Sequence, residues 1–366
     1  MSTALKYAKY WVALSTFPKF GPKRFKLLIQ YFPEMKSAFE ANLNEFKQAG
    51  IDETTALEFI EYRQNINPDA EMERLAQENI KILIIDDPLY SKLLKETYDA
   101  PPLLYYKGNL NNQTNFCLAV VGSRKYTTYG QQTTQFLINK LAQAGLTIVS
   151  GLALGIDALA HNATLEVGGQ TIAVLGSGVN NQSIYPASNR YLAEKIIANN
   201  GLIISEFPYG APPLRHHFPQ RNRIIAGLSL GTLIIEAVEK SGALITAKYA
   251  LEQNRDIFAV PGNIFSPNSQ GTNKLIQSGA KLVMTAEEIL ETLSLENISN
   301  FIANQKIIPE SPIEKQILEN LTREQTHINA LARLTKLDTS TVNATLLTME
   351  LKGYVRHLGG GNYVIS

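Results

Sequence analysis

Seven short apolar runs, each followed by a stretch long enough for a helix, constrain this chain more than any other feature. The runs are Leu118–Val121, Leu146–Val149, Thr171–Leu175, Leu202–Ile204, Thr232–Ile235, Ile257–Val260 and Lys281–Met284. Most are apolar at successive positions rather than at alternate ones. Such strands bury both faces, as in a parallel sheet covered by helices on either side. Between them, Gln131–Ala144 sets Phe136, Leu137 and Leu141 at helical spacing, and Ala243–Asn254 reads as another helix. The pattern predicts an α/β fold with a doubly wound, mostly parallel sheet. Ile80–Ile85 and Leu103–Tyr106 are two further candidate strands ahead of it.

The flanks read differently. Within Leu14–Tyr31, Phe20-Gly21-Pro22-Lys23-Arg24-Phe25 places a Gly-Pro turn before apolar Leu27, Leu28 and Ile29. Pro suits the first turn of a helix. The pattern resembles a helix-hairpin-helix, whose backbone N–H groups can hold a DNA phosphate. Lys19, Lys23, Arg24 and Lys26 surround it; the alternative is a solvated helix end in a small packing domain. At the other end, Ile313–Leu321, His327–Thr335 and Asp338–Lys352 read as helices. Tyr354–Ile365, with Gly359-Gly360-Gly361, reads as a terminal hairpin. Three helices and a two-stranded wing suggest a winged helix. The expected domains are 1–78 (helical), 79–295 (α/β), a linker at 296–311, and 312–366 (winged helix).

At 366 residues the chain is long enough for two or three domains. Its hydrophobic fraction of 45% supplies a sizeable core and argues against disorder. Cys117 is the single cysteine, so no internal disulfide and no cysteine-based metal cluster can form. No apolar run reaches the roughly 18 residues of a membrane span, and Met1–Trp11 lacks a signal-like apolar core. A cytoplasmic protein with no membrane insertion is the expectation. A general polyanion sponge would be strongly basic, so the net charge of +1 counts mildly against nucleic-acid binding, and any phosphate-binding surface must come from local clustering.

Ligands of open α/β sheets bind beyond the carboxyl ends of the strands. The first run leads into Gly122-Ser123-Arg124-Lys125. Small residues there let a phosphate approach the backbone, and Arg124 offers a forked donor. An ordinary strand-to-helix turn with a surface arginine would read the same. The second run leads into Ser150-Gly151 through Gly155-Ile156-Asp157, and the third into Gly176-Ser177-Gly178. Neither completes G-x-G-x-x-G, and no P-loop occurs, so nucleotide cofactors lose their best support. The fourth connection carries Arg215, His216, His217, Phe218, Arg221, Asn222 and Arg223 with no acid among them. Cations for phosphates beside a ring for any base suit single-stranded nucleic acid. The alternative buries Phe218 and pairs the arginines with Glu206 and Glu236.

These stretches together resemble the DprA (Smf) family of DNA-processing proteins. The resemblance rests on Gly122-Ser123-Arg124, Gly151 through Asp157 with His161, and Thr171–Gly178 with Tyr185-Pro186. It continues through Ser205-Glu206, Phe218–Ser229, Glu236-Ala237, Leu244–Ala247, Val260–Asn263 and Gly271–Ile276. It is dense over 116–290. It implies an extended Rossmann-like domain that binds single-stranded DNA, a SAM-like N-terminal domain and a C-terminal winged helix. It further implies protection of incoming strands in natural transformation, loading of the RecA recombinase, a homodimer through the Rossmann-like domain, and no cofactor. By position, Gly122, Ser123, Arg124 and Lys125 form the phosphate site. Phe218 is the stacking ring, with Arg221, Asn222 and Arg223 in its motif and Arg215 an added cation. Where the family has a His-Lys pair, this chain has His161-Asn162.

Two rivals differ in class. Nucleotide-cleaving phosphoribohydrolases share Gly231-Thr232 and Glu236, but their full Pro-Gly-Gly-x-Gly-Thr loop is missing here. Glu206 and Glu236 are isolated acids of the kind that cap or pair, so no catalytic or metal-binding residues are assigned. A transcription factor would need a basic recognition helix, whereas Asp338–Glu350 contains no Lys or Arg. Contact with protein is the better expectation for that domain.

Overall fold

The computed structural model describes residues 8–110, 116–295, 311–321, 326–351 and 355–365. The expected linker, apart from Ser311, lies outside the described residues. Contacts divide the chain into two compact units, Met1–Leu295 and Glu296–Ser366.

The first unit opens with helices Ala8–Ser15, Pro22–Tyr31, Met35–Glu40, Leu43–Gln48, Glu53–Tyr62 and Pro68–Gln77. Local chemistry starts several of them. Asn42 and Glu45 form a reciprocal capping box, Asp52 accepts from the Thr55 N–H, and Asn67 caps ahead of Pro68. Phe17, Phe20, Phe25, Phe32, Phe46 and Phe59 are buried together at the centre. Val12 and Leu75 instead pack among sheet residues Leu103 and Tyr105, which joins the helices to the α/β body.

The sheet has nine strands: β1 Lys81–Ile84, β2 Leu103–Gly108, β3 Cys117–Val121, β4 Thr147–Ser150, β5 Thr171–Val174, β6 Leu202–Ser205, β7 Gly231–Ile234, β8 Asp256–Ala259 and β9 Lys281–Leu282. Their order is β1-β2-β6-β5-β4-β3-β7-β8-β9. The seven expected strands, β3 to β9, pair parallel. β2 pairs antiparallel with β6, and β1 with β2. Every residue of β3, β4, β5, β6 and β7 is buried. One face packs Val121, Val174 and Ile204 against Ile224, Ile225 and Ala247. The other packs Ala173 and Ile203 against Leu192, Ala193 and Ile196. Strand order reverses between β3 and β7. The connections leaving these two strands therefore diverge and open a crevice at their carboxyl ends.

The second unit has helices Pro312–Asn320, Ile328–Thr335 and Thr339–Leu351. Its sheet runs β10-β12-β11, from β10 Thr326–His327, β11 Val355–Gly359 and β12 Asn362–Ile365. The short β10 adds a strand to the two-stranded wing expected from sequence. Ile317, Leu331, Val342, Leu346, Met349 and Tyr363 form the core. Gly359, Gly360 and Gly361 all have positive φ (92°, 60° and 78°), the region that favours glycine, and they turn the wing.

Candidate nucleic-acid interface

The crevice at the β3–β7 reversal is a cleft of about 820 Å³. Its first wall is the turn after β3. Ser123 Oγ donates to the Lys125 carbonyl (2.8 Å) and accepts from the Lys125 N–H (3.1 Å), which holds the turn tight. The Ser123 carbonyl accepts from the Ile156 N–H (3.1 Å). Gly155 has φ +85°, and a Cβ there would lie 2.2 Å from the Ser123 carbonyl oxygen. Only glycine permits that approach. Arg124 and Lys125 are exposed and form no ion pair with any described residue.

The second wall is the turn after β7. Glu236 is buried and accepts from the Thr127 N–H (3.0 Å) and the Thr127 hydroxyl. Its carboxylate sits at the start of the Thr128–Gln143 helix, where the unpaired N–H groups and helix dipole favour an anion. A Cβ on Gly130 would approach Glu236 Oε2 to 2.4 Å, so the carboxylate is fitted closely. Farther along the same turn, exposed Lys240 lines the cleft.

The third wall is the start of the His217–Gly227 helix. Phe218, Arg221, Asn222 and Ile225 follow helical spacing and all line the cleft. Phe218 is half-buried, with its ring centroid 5.6 Å from that of Tyr185. The Arg124 guanidinium carbon lies 6.0 Å from the Phe218 centroid, at the outer limit of a cation–π contact. Tyr185 is 50% exposed. Arg215 is exposed at the same rim.

Arg221 is built in rather than offered to solvent. It is 4% exposed and donates to the carbonyls of Gly151 (2.8 Å) and Val174, and to Asn222 Oδ1 (3.2 Å). Nearby Asp157 accepts from the N–H groups of Gly151 (3.1 Å) and Ala153 (3.4 Å). Burial pushes Arg221 down to about 10, with Asp157 opposing the shift. Burial also raises the Asp157 carboxyl, against the pull of Arg221. Asp157 is the one acid lining the cleft, and it is 7% exposed. The rim is therefore cationic.

The structure thus brings Gly122, Ser123, Arg124, Lys125, Arg215, Phe218, Arg221 and Asn222 into one cleft, and places Arg223 outside it. Arg223 is 5% exposed and pairs with Glu206 and with Asp99 (3.3 Å). The basic support that sequence assigned to Arg221 and Arg223 is buried scaffolding as it stands. Of the two acids, Glu206 pairs with an arginine and Glu236 caps a helix. His161 is fully buried, with Nδ1 2.7 Å from Thr171 Oγ1, and burial pushes its imidazole down to about 3. Tyr185 and Lys240 line the cleft without having been assigned a role from sequence. The signal for Tyr185 was an aromatic beside a proline in the connection after β5. Among the described residues, no cluster of metal-ligating side chains occurs, and no helix is long and apolar enough to cross a membrane.

A cleft at the strand reversal, lined by unpaired cations and an aromatic pair, defines a class: an open α/β protein with a cationic crevice at the carboxyl ends of its strands. Comparison with known proteins narrows the class to a family. The chain matches the family model of DNA recombination-mediator protein A over residues 81–294 and that of the DprA winged helix domain over residues 303–361. It is 37% identical to Protein Smf of Synechocystis, covering 97% of this chain and 98% of that one. It is 40% identical to the DNA processing protein DprA of Streptococcus pneumoniae, covering 67% of this chain and 95% of the relative. The X-ray structure of Streptococcus pneumoniae DprA superposes with a TM-score of 0.68 at 39% identity, covering 77% of this chain and 97% of that one. DprA from Helicobacter pylori, described for its single-stranded DNA binding mode, superposes with a TM-score of 0.52 at 31% identity. That match covers 59% of this chain and 95% of the other. The chain belongs to the DprA (Smf) family of DNA processing proteins.

Proposed function

We propose that this protein binds single-stranded DNA along the β3–β7 cleft, protects incoming strands and helps load RecA recombinase in natural transformation. It acts in the cytoplasm as a binding protein rather than an enzyme, without a cofactor. One observation carries the DNA reading: Arg124, Lys125, Arg215 and Phe218 converge on one rim that exposes no acid. Cations spaced along a groove take successive phosphates, and a half-buried ring stacks on a base of any identity. The single-stranded DNA binding described for the Helicobacter pylori relative supports the same reading. Its domains follow the divisions 1–78, 79–295, 296–311 and 312–366.

A homodimer through the Rossmann-like domain fits the free edge of the sheet. β9 is a two-residue edge strand; Leu282 on it and Met284 just after it are 39% and 61% exposed. Apolar exposure at a sheet edge invites a partner. The winged helix is read as a protein-contact module. Its Thr339–Leu351 helix carries no Lys or Arg, and Leu347 is 58% exposed.

The test is a titration of labelled oligonucleotide, single against double stranded, at two salt concentrations. Single strands should bind more tightly. Phe218→Ala should weaken that binding by about 1–3 kcal/mol, the scale of one stacked base. A folded Phe218→Ala protein that binds like the parent would refute the groove.

A further inference from the structure

A second cleft, of about 810 Å³, lies between the N-terminal helices and the connection that follows β6. The same connection borders both clefts. Arg215 and Phe218 line the first, whereas the adjacent His216 and His217 line the second. His217 stacks on Phe207, with centroids 3.9 Å apart and planes 19° apart. A chain leaving the first cleft over this connection therefore meets the second.

The facing wall is the turn Phe17–Phe25, which begins the Pro22–Tyr31 helix. Gly21 stands at its N-cap with no side chain capping it, and a Cβ at Gly21 would meet nothing within 4 Å. Pro22, the first helical residue, has no N–H, and no N-cap side chain takes the N–H groups that follow it, a position where an anion is favoured. Two independent features mark the cleft as a seat for a ligand. First, at the margin of the cleft, Tyr98 adjoins the lining residue Asp99, is 79% exposed, and has Lys23 Nζ 5.6 Å and Lys26 Nζ 5.9 Å from its ring centroid; of these three side chains Lys23 lines the cleft itself. Neither lysine forms an ion pair with a described residue, whereas Lys19 pairs with Glu58 and Arg24 with Asp52. An exposed ring bracketed by free cations is the pattern that takes a base and its flanking phosphates. Second, Arg223 lines this cleft, and its Nη1 has no acceptor among the described residues although the side chain is buried. The acids of the cleft, Asp99 and Glu206, are tied to the same Arg223.

We propose that this cleft is a second seat for the same DNA strand. Nucleotides beyond those held at Arg124 and Phe218 pass over Arg215 and His216. Their phosphates reach Lys23 and Lys26, and one base stacks on Tyr98. The N-terminal helices then extend the binding site rather than merely supporting the sheet. The inference rests on the reading of the first cleft as a single-strand site.

The test compares oligothymidylates of about 6 and about 16 nucleotides, within the span of known single-strand sites. The substitutions Lys23→Ala, Lys26→Ala and Tyr98→Ala are combined in one full-length chain; thermal melting confirms the fold, which these exposed side chains do not hold. The long oligonucleotide should bind about fivefold more weakly or worse, and its salt slope should fall by about 1.4 for two lost phosphate contacts. The short one should change by less than about twofold. Tyr98→Phe alone should bind like the parent, because a ring remains. Phe218→Ala should weaken both lengths. Unchanged long-strand binding in the combined variant, with Phe218→Ala still weak, overturns the second seat and leaves the first standing. Equal losses on both lengths in the combined variant also overturn it. Unchanged binding in Phe218→Ala removes the first reading and this one with it.

Discussion

The burial difference between Arg124 and Arg221 separates two kinds of arginine that sequence treats alike, and it predicts two different phenotypes. Arg124 is exposed and unpaired, so it is free to neutralise a phosphate. On a single strand each neutralised phosphate contributes about 0.7 to the slope of log affinity against log salt. Arg124→Ala should lower that slope by about 0.7. A charge-assisted hydrogen bond is worth about 1.5–3 kcal/mol, so binding should weaken roughly tenfold or more for every sequence. Arg221 is 4% exposed and satisfies two carbonyls and an amide oxygen beside buried Asp157. Arg221→Met leaves that acid without its counter-charge, at a cost of about 3–5 kcal/mol of stability. Adding Asp157→Asn should recover part of the loss, because the uncompensated charge goes with it. The Arg221 variant should keep the parental salt slope. Urea unfolding measures the stability. Fluorescence anisotropy between about 50 and 200 mM salt measures the slope. An Arg221→Met protein as stable as the parent, with a slope reduced like that of Arg124→Ala, would refute the assignment of scaffold and ligand.

Three further outcomes follow from particular contacts. Gly176→Ala would place a Cβ 2.9 Å from Phe218 Cδ1 and 3.4 Å from the Phe218 backbone nitrogen. The ring must shift, so single-strand affinity should fall severalfold while overpacking costs about 1–3 kcal/mol; unchanged affinity would mean that the ring position is unimportant. His161 stays neutral in the folded protein down to about 3, whereas the unfolded chain protonates below about 6.5. The unfolded state then binds more protons between these values, and stability falls as pH drops through that window, by at most about 1.4 kcal/mol per unit. Buried Asp157 and Glu206, both raised, act in the opposite direction, so the comparison is with His161→Gln. Melting at pH 7 and pH 4.5 should show the shallower decline in the variant, and parallel declines would contradict the buried neutral imidazole. Leu282→Asp with Met284→Asp should shift the protein towards monomer in sedimentation analysis without changing its fold, and an unaltered oligomeric state would clear that edge of a role.

Much of the fold was legible because strands buried on both faces advertise themselves. β3 to β9 fall within a residue or two of the apolar runs, although β9 is shorter than its run. Direction is not written in such runs, so the antiparallel pairing of β1 and β2 emerges only from the three-dimensional arrangement. At the site, Arg124, Arg215 and Phe218 were legible as cations and a ring beyond strand ends. Arg223 was misplaced because the motif was read as a line, not a helix. Residues 218, 221, 222 and 225 share a face at 3.6 residues per turn, whereas 223 points about 140° away from 218. That rotation sends it to Glu206 and Asp99. Tyr185 was not assigned because its neighbour Phe218 comes 33 positions later, and only the fold brings the two rings together.

The Glu236 brace has an effect on selectivity that reaches beyond its two hydrogen bonds. With a buried carboxylate of the protein already lodged at the start of the Thr128–Gln143 helix, that helix start offers no seat to a phosphate, and an anion in the neighbouring cleft is left with the rim cations. What is left is a set of weaker, separated holds. A ligand that grips only one of them dissociates quickly, and a polymer that grips several together stays. On the proposed reading, a side chain outside the cleft thereby helps make length the property the cleft selects.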